Sequence, residues 1–369
     1  MSLTFRIMKA DEAKTVQSLG IKSFLRSFEG SYVSMPKTAI VAEKDGKIIG
    51  GFLYEIENVG EIKIGFIDFF FVEPKHTGQG VGHALCKEGI AYMWAEGCDY
   101  LTTFVRDDNV GSWLAFEKAG FTRASIPKIA KALGFGGFIK AYVKHIYGLA
   151  VGFDFYFAMR PENPAALSAY AKKTGINQIA FHILINMMLV MIMTLSVAGI
   201  SNIAADPSLI ISQLPVMLLS LLIIFGGVIF FSFIGTIFSS RKWHYRMPAG
   251  GLLLTLITAV LGVFLPMAGN WYPDRYEKTA KFRIDMGISA ALPWIYLIGL
   301  LAAARLLSDE AQFWRNVFHP EASSIIAALL IFRCMPIPII NLGSVRVFRW
   351  NKILCVIMVM ASIFLVYFW

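Results

Sequence analysis

Three glycines at alternate positions mark the stretch of this sequence best suited to bind a ligand. Gly78, Gly80 and Gly82 lie in "VEPKHTGQGVGHAL", residues 72–85, between a strand-like apolar run and a helix-like run. Glycine lets the backbone turn tightly and approach a ligand closely, and the amides at the start of a helix attract phosphate. The pattern therefore predicts a turn that binds phosphate or pyrophosphate through its amides.

The order of elements around the turn separates two classes of phosphate-binding fold. A dinucleotide fingerprint sits early in its βαβ unit, and an acidic residue follows it after about twenty positions. Here four strand-like runs precede the turn, among them a hairpin at Asp45 and Gly46, and a helix that starts at Asn109 and ends in "KAGF" follows it. With the later runs "DYLTTFV" and "FDFYFAMRP", these segments predict a mixed α/β sheet.

At these residues the chain resembles the GNAT acetyltransferase family, over residues 3–160. The strand end "FFVEP", the turn "TGQGVG" and the helix "NVGSWLAFEKAGF" occur in the family's order and spacing. The resemblance implies acetyl-CoA as co-substrate, with its pantetheine arm beside a splayed strand and its pyrophosphate on the turn. The cofactor-binding residues that it implies are Phe70, Phe71, Val72, Gly78, Gln79, Gly80, Val81, Gly82, His83 and Asn109.

Two positions depart from the family pattern. Thr77 stands where the turn usually begins with Gln or Arg, and Phe116 stands where a Tyr is often the general acid. Backbone amides would still hold the cofactor, but Phe116 has no proton to give to a thiolate. Water or Tyr156 on the last strand would then protonate the leaving group.

An acceptor ammonium must lose a proton before it attacks a thioester, so the resemblance also calls for a general base. Asp68 is the first candidate, because strand alternation places it on the same face as Val72. Each carboxylate could equally be a solvated strand residue, and loop histidines are more often structural. The alternatives to Asp68 are Glu55, Glu57, Glu73, His76 and His83.

An insert at residues 126–152 separates "GF" from the last strand, where the family needs only a short link. Its apolar residues alternate with lysines at helix-like spacing, which is typical of a basic helix in the headgroup plane of a membrane. A helix packed on a transmembrane bundle is the alternative. The lysines concerned are Lys128, Lys131, Lys140 and Lys144.

Composition divides the 369 residues into a first part suited to water and a second, more apolar part suited to lipid. We predict an acetyl-CoA-binding domain over 1–162, a linker over 163–177 and a transmembrane domain over 178–369. The formal charge of +9 fits cytoplasmic flanks and anionic headgroups better than nucleic acid. The four cysteines show no paired spacing, and the N-terminus lacks the apolar region of a cleavable signal, so the first domain is predicted to be cytoplasmic.

Six apolar segments in the second half are candidates to enter the membrane. The positive-inside rule is satisfied best when 249–266 turns back as a re-entrant piece, which leaves five full spans and an outside C-terminus. Arg333 is the one evident charge in the middle of a segment. The candidate segments are 178–200, 209–238, 249–266, 286–307, 323–340 and 353–369.

The end of the chain, over residues 226–369, weakly resembles site-2-type intramembrane metalloproteases. The sequence has no HExxH motif, and the Leu-Asp-Gly position of that family reads Leu342, Gly343 and Ser344. Catalytic zinc requires at least three protein ligands, and none are spaced for it here. The resemblance implies a protease-like scaffold without metal and without protease activity.

These features together predict an α/β mixed-sheet GNAT domain followed by an all-α multi-span transmembrane domain. The predicted function is a membrane-anchored N-acetyltransferase that moves an acetyl group from acetyl-CoA to an amine on a membrane-associated acceptor. The predicted partners are the lipid bilayer, that acceptor and a membrane protein partner, with no nucleic acid. The alternative is a catalytically weak acyl-CoA sensor that regulates its own transmembrane half or a partner.

Overall fold

The computed structural model describes most of the chain and divides it into two compact units. The described residues are 3–24, 28–106, 109–123, 126–144, 148–160, 175–198, 214–273, 279–307, 320–335 and 342–368. The first unit is Met1–Lys172 and the second is Lys173–Trp369. Most of the predicted linker, 163–177, lies outside the described residues.

The first unit is a seven-stranded mixed sheet with the strand order β1-β2-β3-β4-β5-β7-β6. Helices α2 and α3 pack against the face of the sheet that carries Phe52, Ile67 and Tyr156, and these residues form one apolar core. The elements are β1 (Leu3–Ile7), α1 (Ala13–Ser23), β2 (Ala39–Lys44), β3 (Lys47–Val59), β4 (Ile62–Val72), α2 (Val81–Ala95), β5 (Tyr100–Arg106), α3 (Val110–Lys118), β6 (Thr122–Arg123), α4 (Ile126–Lys144) and β7 (Phe153–Met159).

Two irregularities in β4 shape the middle of the sheet. Leu53 of β3 is opposite Phe69 while Tyr54 is opposite Ile67, so Asp68 is an extra residue, a β-bulge. The parallel pairing of β4 with β5 also ends at Ile67. Since both strands continue beyond that pair, they separate and leave a gap between them.

The predicted insert forms α4, which is kinked at Gly134, where φ is 67°. Its buried side chains pack on the first unit itself. Ile129 is fully buried, and the ring of Tyr142 lies edge-on to Phe104 of β5 with centroids 5.2 Å apart. The insert is therefore part of the sheet's packing.

Two lysines of α4 are also held by the first unit. Lys140 lies 2.6 Å from Glu57, and Lys144 lies 2.5 Å from Glu55 and contacts Glu57 as well. Hydrogen bonds from Lys140 and Lys144 lower the pKa of Glu57. These lysines pair with carboxylates of β3, which corrects the prediction that they face lipid headgroups.

The second unit is helical. Within the described residues, three of its helices are long and apolar enough to cross a membrane, over Ile176–Val197, Leu214–Ile237 and Ala280–Leu306, and two further apolar helices are shorter. The fold class predicted from the sequence is confirmed. The elements are α5 (Ile176–Ala198), α6 (Leu214–Ile237), β8 (Trp243–Arg246), α7 (Leu252–Val260), β9 (Asn270–Pro273), α8 (Ala280–Leu307), α9 (Pro320–Cys334), α10 (Ser344–Trp350) and α11 (Lys352–Tyr367).

The segment between β8 and β9 runs into the helical unit and returns. The two strands that flank it pair antiparallel, so it leaves and re-enters at one end. At its tip the Val260 carbonyl accepts a hydrogen bond from Ser196, near the far end of α5. On the return path the Met267 amide donates to the Asn186 side chain (2.9 Å). This bond gives the amide of an extended segment a partner within the unit itself.

Candidate active site

An open cleft lies where β4 and β5 separate. Its empty volume is about 480 Å³. One wall comes from the diverging strands, and the others come from α3, β7 and the end of α1. The lining residues are Phe24, Ile67, Asp68, Phe69, Phe70, Thr103, Phe104, Val105, Arg106, Asn109, Ser112, Phe116 and Phe153.

The peptide groups of β4 alternate in direction, which decides which of them reach the gap. The carbonyl of Phe71 points toward β3, since a Cβ added to Gly50 would lie 2.9 Å from its oxygen. Neighbouring residues of a strand direct their peptide groups to opposite edges. Phe70 and Val72 therefore face the gap, whereas the predicted cofactor contact at Phe71 faces β3.

The glycine-rich turn leads directly into α2. Gly78 and Gly80 both have a φ of 80°, and Gly80 is the N-cap of the helix. The first helical hydrogen bond runs from the Ala84 amide to the Gly80 carbonyl (3.0 Å). The amides of the first turn, from Val81 to His83, are therefore not used within the helix. These amides are the donors that the predicted pyrophosphate site would use, and that site stays a prediction.

Side chains around the turn leave these amides open. A Cβ on Gly80 would meet nothing within 4 Å, and a Cβ on Gly82 would lie 3.5 Å from Val72 and 3.9 Å from Phe70. The Thr77 hydroxyl donates to the Pro74 carbonyl (2.8 Å), so this departure from the family pattern stabilises the turn itself. The turn and the end of β4 are neighbours.

Asn109 lines the cleft and caps α3. Its side-chain oxygen accepts a hydrogen bond from the Ser112 amide (3.4 Å). Capping occupies only the oxygen, and the side-chain amide group still has two donors. Asn109 can therefore hold the helix in place and also donate to a ligand in the cleft.

Phe116 forms an apolar wall of the cleft. It is 2% exposed, and its ring is edge-on to Phe70 with centroids 5.5 Å apart. This pair lies beside the gap in which a pantetheine arm would pass. Phe116 supplies shape at this position and has no proton to exchange.

Tyr156 does not line the cleft. Its buried hydroxyl accepts a hydrogen bond from Arg123 of β6 (2.8 Å). The Arg123 guanidinium also lies over the ring of Trp113, 5.1 Å from its centroid. Burial raises the pKa of Tyr156, which makes the hydroxyl a weaker acid. Its role as the general acid stays a prediction, and the geometry gives this tyrosine a structural explanation.

Among the candidate bases, the structure brings Asp68 to the cleft. It is half-buried at the bulge, where the strands begin to separate. Glu55 and Glu57 pair with lysines of α4, and Glu73 lies 3.1 Å from Lys75. His76 is 3.8 Å from the same Glu73 carboxylate. Each alternative carboxylate has a cationic partner outside the cleft.

Several cleft residues were not singled out from the sequence. Among them, Phe24, Phe104, Arg106 and Phe153 come from three different parts of the first unit. Arg106 is 7% exposed at the end of β5. A charged residue at the end of an apolar strand only weakly indicates a position in a cleft. The phenylalanines could not be recognised as cleft residues in a chain that has 30 of them.

Comparison with known proteins identifies the first unit. Residues 8–121 match the model of the Acetyltransferase (GNAT) family. This part of the chain is a GNAT acetyltransferase domain, as the turn and its order among the elements predicted. The similarity of the second unit to intramembrane metalloproteases is not shown.

Individual relatives match part of the chain. The mycothiol acetyltransferase of Stackebrandtia nassauensis is 31% identical over 90 residues, which cover 24% of this chain and 29% of the relative. That of Streptomyces griseus is 31% identical over 87 residues, which cover 24% and 28%. A GNAT family acetyltransferase of Brucella melitensis, solved with acetyl-CoA, is 19% identical over 33% of this chain and 83% of that chain, with a TM-score of 0.28. The chain thus spans less than a third of the two curated relatives.

Proposed function

We propose that this protein is a membrane-anchored N-acetyltransferase. It takes the acetyl group from acetyl-CoA and transfers it to an amine on an acceptor at the membrane. The observation that carries the proposal is the combination, in one GNAT domain, of the open amide edge at Val81 to His83 and the gap between β4 and β5. The apolar helices of the second unit support the anchoring.

The cofactor would lie along a path that the described residues outline. First-turn amides of α2 hold the pyrophosphate. The pantetheine arm takes the place of the neighbouring strand that β4 lacks here, and it bonds to the peptide groups of Phe70 and Val72. The Asn109 side chain also donates to the arm. Acetyl-CoA acts here as a co-substrate that leaves as CoA.

Transfer is a direct attack of the amine on the thioester within a ternary complex. Asp68 takes the proton of the acceptor ammonium, and the free amine forms the new C–N bond. The Phe70 amide, which faces the gap two residues from Asp68, donates to the carbonyl oxygen as negative charge develops on it. The C–S bond then breaks; the bonded nitrogen gives up its surplus proton to water, and water returns a proton to the leaving thiolate, since Phe116 cannot supply one.

Replacement of Gly82 by leucine should weaken acetyl-CoA binding. The added side chain points at Val72 and Phe70, between the turn and β4. We expect the Kd for acetyl-CoA to rise at least tenfold, about 1.4 kcal/mol, in isothermal titration calorimetry. Gly136→Leu is the matched control, because Gly136 is an exposed helical glycine with open space around it. Equal affinity of a folded Gly82→Leu variant would remove the basis of the cofactor proposal.

The distribution of charge supports a cytoplasmic acetyltransferase domain. We define the basic end of the second unit as the end at which α5 begins, α6 ends and α8 begins. The Tyr245 hydroxyl of β8 lies 2.6 Å from Nδ1 of His182, in the first turns of α5, which places these elements together. Cationic residues mark the cytoplasmic side. Those described at this end are Arg241, Lys242, Arg246, Lys281, Arg283, Arg333, Arg346, Arg349 and Lys352.

Thiol labelling tests this orientation. A cysteine at the exposed position Lys281 should react with an impermeant thiol reagent only after the cells are permeabilised. Val197→Cys, at the opposite end of α5 and 71% exposed, should react in intact cells. The reverse pattern would place the acetyltransferase domain outside.

The outer face of α4 supports an acceptor at the membrane. Phe135, Ile139 and Val143 follow each other at four-residue intervals and are 78%, 36% and 50% exposed. Exposed Lys131 precedes Phe135 by four residues, on the other side of the kink at Gly134. An apolar stripe beside a cation is typical of a helix that rests at a membrane surface.

Incubation of the full-length protein with labelled acetyl-CoA and native membranes tests the proposed function. The lipid and membrane-peptide fractions are then separated to find which one carries the label. Label in either fraction, absent with Gly82→Leu, supports the enzyme and identifies its acceptor. Tight acetyl-CoA binding without any transfer would support the second candidate, an acyl-CoA sensor, which Phe116 favours because it replaces the usual acid.

A further inference from the structure

The basic end contains a cluster of cationic and hydroxyl side chains, which we call the arginine cluster: Arg246, Arg333, Arg346, Tyr272 and Ser344. Two guanidinium groups lie over one ring, with Cζ of Arg346 at 4.6 Å and Cζ of Arg246 at 5.5 Å from the centroid of Tyr272. These residues come from β8, β9, α9 and α10. Four separate elements thus converge here.

Arg333 joins the cluster through the turn before α10. A Cβ added to Gly343 would lie 3.9 Å from Nη1 of Arg333 and 3.9 Å from the side-chain oxygen of Asn270, on β9. Ser344 is the next residue along the chain. Arg346 donates through Nη1 to the Trp271 carbonyl (3.0 Å), which ties the same turn to β9.

Three polar groups of the cluster are buried and incompletely satisfied. Arg333, Tyr272 and Ser344 are 5%, 4% and 7% exposed. Nη1 of Arg333 donates to the Leu342 carbonyl (2.8 Å), but its Nε, the Tyr272 hydroxyl and the Ser344 hydroxyl have no hydrogen-bond partner among the described residues. Burial of such donors costs free energy unless a partner arrives.

The described carboxylates do not fill this role. Among the residues within 175–369 whose side chains the structure describes, Asp285 is the only one with a carboxylate. It already accepts a hydrogen bond from Ser239 (2.9 Å) and lies 2.5 Å from Arg241. A guanidinium presents a planar set of donors that fits phosphate oxygens. Basic pockets between membrane helices on the cytoplasmic side bind phospholipid headgroups.

We propose that the arginine cluster binds a phosphate-bearing anion, with the headgroup of an anionic phospholipid as its source. Arg333 and Arg346 supply the positive charge, and the Tyr272 and Ser344 hydroxyls donate to the phosphate oxygens. The site lies wholly within the second unit and does not depend on acetyl transfer.

Titration of the detergent-solubilised full-length protein with short-chain phosphatidylglycerol tests this site. Short-chain phosphatidylcholine and inorganic phosphate form the comparison arms, and the melting temperature and native mass spectrometry are the readouts. We expect phosphatidylglycerol to bind and to raise the Tm, and Arg333→Gln to raise its apparent Kd at least tenfold, about 1.4 kcal/mol. Tyr272→Phe removes only a hydroxyl and should weaken binding by about threefold, within the usual range for one hydrogen bond.

Arg349→Gln is the matched control, because Arg349 is exposed on the same short helix as Arg346. If inorganic phosphate raises the Tm as much as phosphatidylglycerol does, the cluster is an anion site whose ligand is a soluble phosphate. The proposal is overturned if neither anion affects the wild type, or if Arg349→Gln weakens binding as much as Arg333→Gln. If Arg333→Gln does not fold, an unchanged affinity of Tyr272→Phe for phosphatidylglycerol also overturns the proposal. Acetyl-CoA affinity, measured in parallel, should stay constant in all variants.

Discussion

Replacement of Asp68 by asparagine should lower kcat for acetyl transfer about a hundredfold, within the usual range for loss of a general base. Asp68 lies in the lining of the cleft, at the bulge where β4 leaves β5. Without its carboxylate, the acceptor ammonium has no described group beside it to take the proton. Since the proposed cofactor site uses peptide groups, the Kd for acetyl-CoA should change by less than about twofold.

The pH dependence separates a catalytic from a structural role of Asp68. As the pH approaches the value at which an alkyl amine loses its proton unaided, near 10, the Asn variant should recover toward the wild-type rate. Glu73→Gln is the control, because Glu73 follows the same strand and pairs with Lys75 away from the cleft. Full activity of Asp68→Asn at neutral pH would exclude this residue as the base. A variant with a lower Tm and no recovery at high pH would point to a structural role.

Removal of residues 173–369 should separate cofactor binding from acetylation of the membrane. The remaining unit, Met1–Lys172, contains its own apolar core and all cleft residues. We therefore expect its Kd for acetyl-CoA to stay within about twofold. Label transfer to native membranes should fall about a hundredfold, because an anchored domain meets its acceptor at an effective concentration that the free domain does not reach.

A fusion protein distinguishes an anchor from a participant in this experiment. The domain 1–172 followed by a single unrelated transmembrane helix should recover the transfer if residues 173–369 act only by keeping the enzyme at the bilayer. Recovery limited to a few per cent would assign the helical unit a part in presenting the acceptor. Equal transfer by the free, detergent-free domain would contradict the proposal that the acceptor is reached from the membrane.

Local pattern was sufficient for the parts of the site that lie close together in the chain. The positive φ of Gly78 and Gly80, the start of α2 and the Asn109 cap each depend on a few consecutive residues. The side-chain types at these positions select the backbone conformation with little help from the rest of the molecule. The predicted turn and the predicted helix therefore match the structure.

The alternation of side chains along a strand was not sufficient to predict the position of Asp68. The sequence argument placed Asp68 on the face of Val72, but a bulge interrupts the alternation at this residue. The bulge follows from pairing with Leu53 and Tyr54 of β3, and the separation of the strands follows from the end of pairing with β5. Contacts of this kind join distant parts of the chain, and no local pattern records them.

The lysines of α4 are a second case in which the local sequence pattern was not sufficient. Lysines at helical spacing predicted a surface for lipid headgroups, yet Lys144 bonds to Glu57, 87 positions earlier in the chain. Periodicity defines which residues share a face of a helix, but it does not identify what covers that face. The exposed stripe at Phe135, Ile139 and Val143 was visible as apolar residues in the sequence, and only the packing of Tyr142 shows that it is the outer side.

The sequence by itself determined the composition of each unit, the glycine turn before α2 and the resemblance to the acetyltransferase family, because apolar runs and short motifs act through adjacent residues. Only the tertiary structure decided which candidate base enters the cleft, which β4 peptide groups face it, and which residues of α5 bond to the segment after β8. It also brought Arg333 and Arg346 around one turn at the basic end. The physical reason is that these arrangements depend on pairing and burial between residues far apart in the chain.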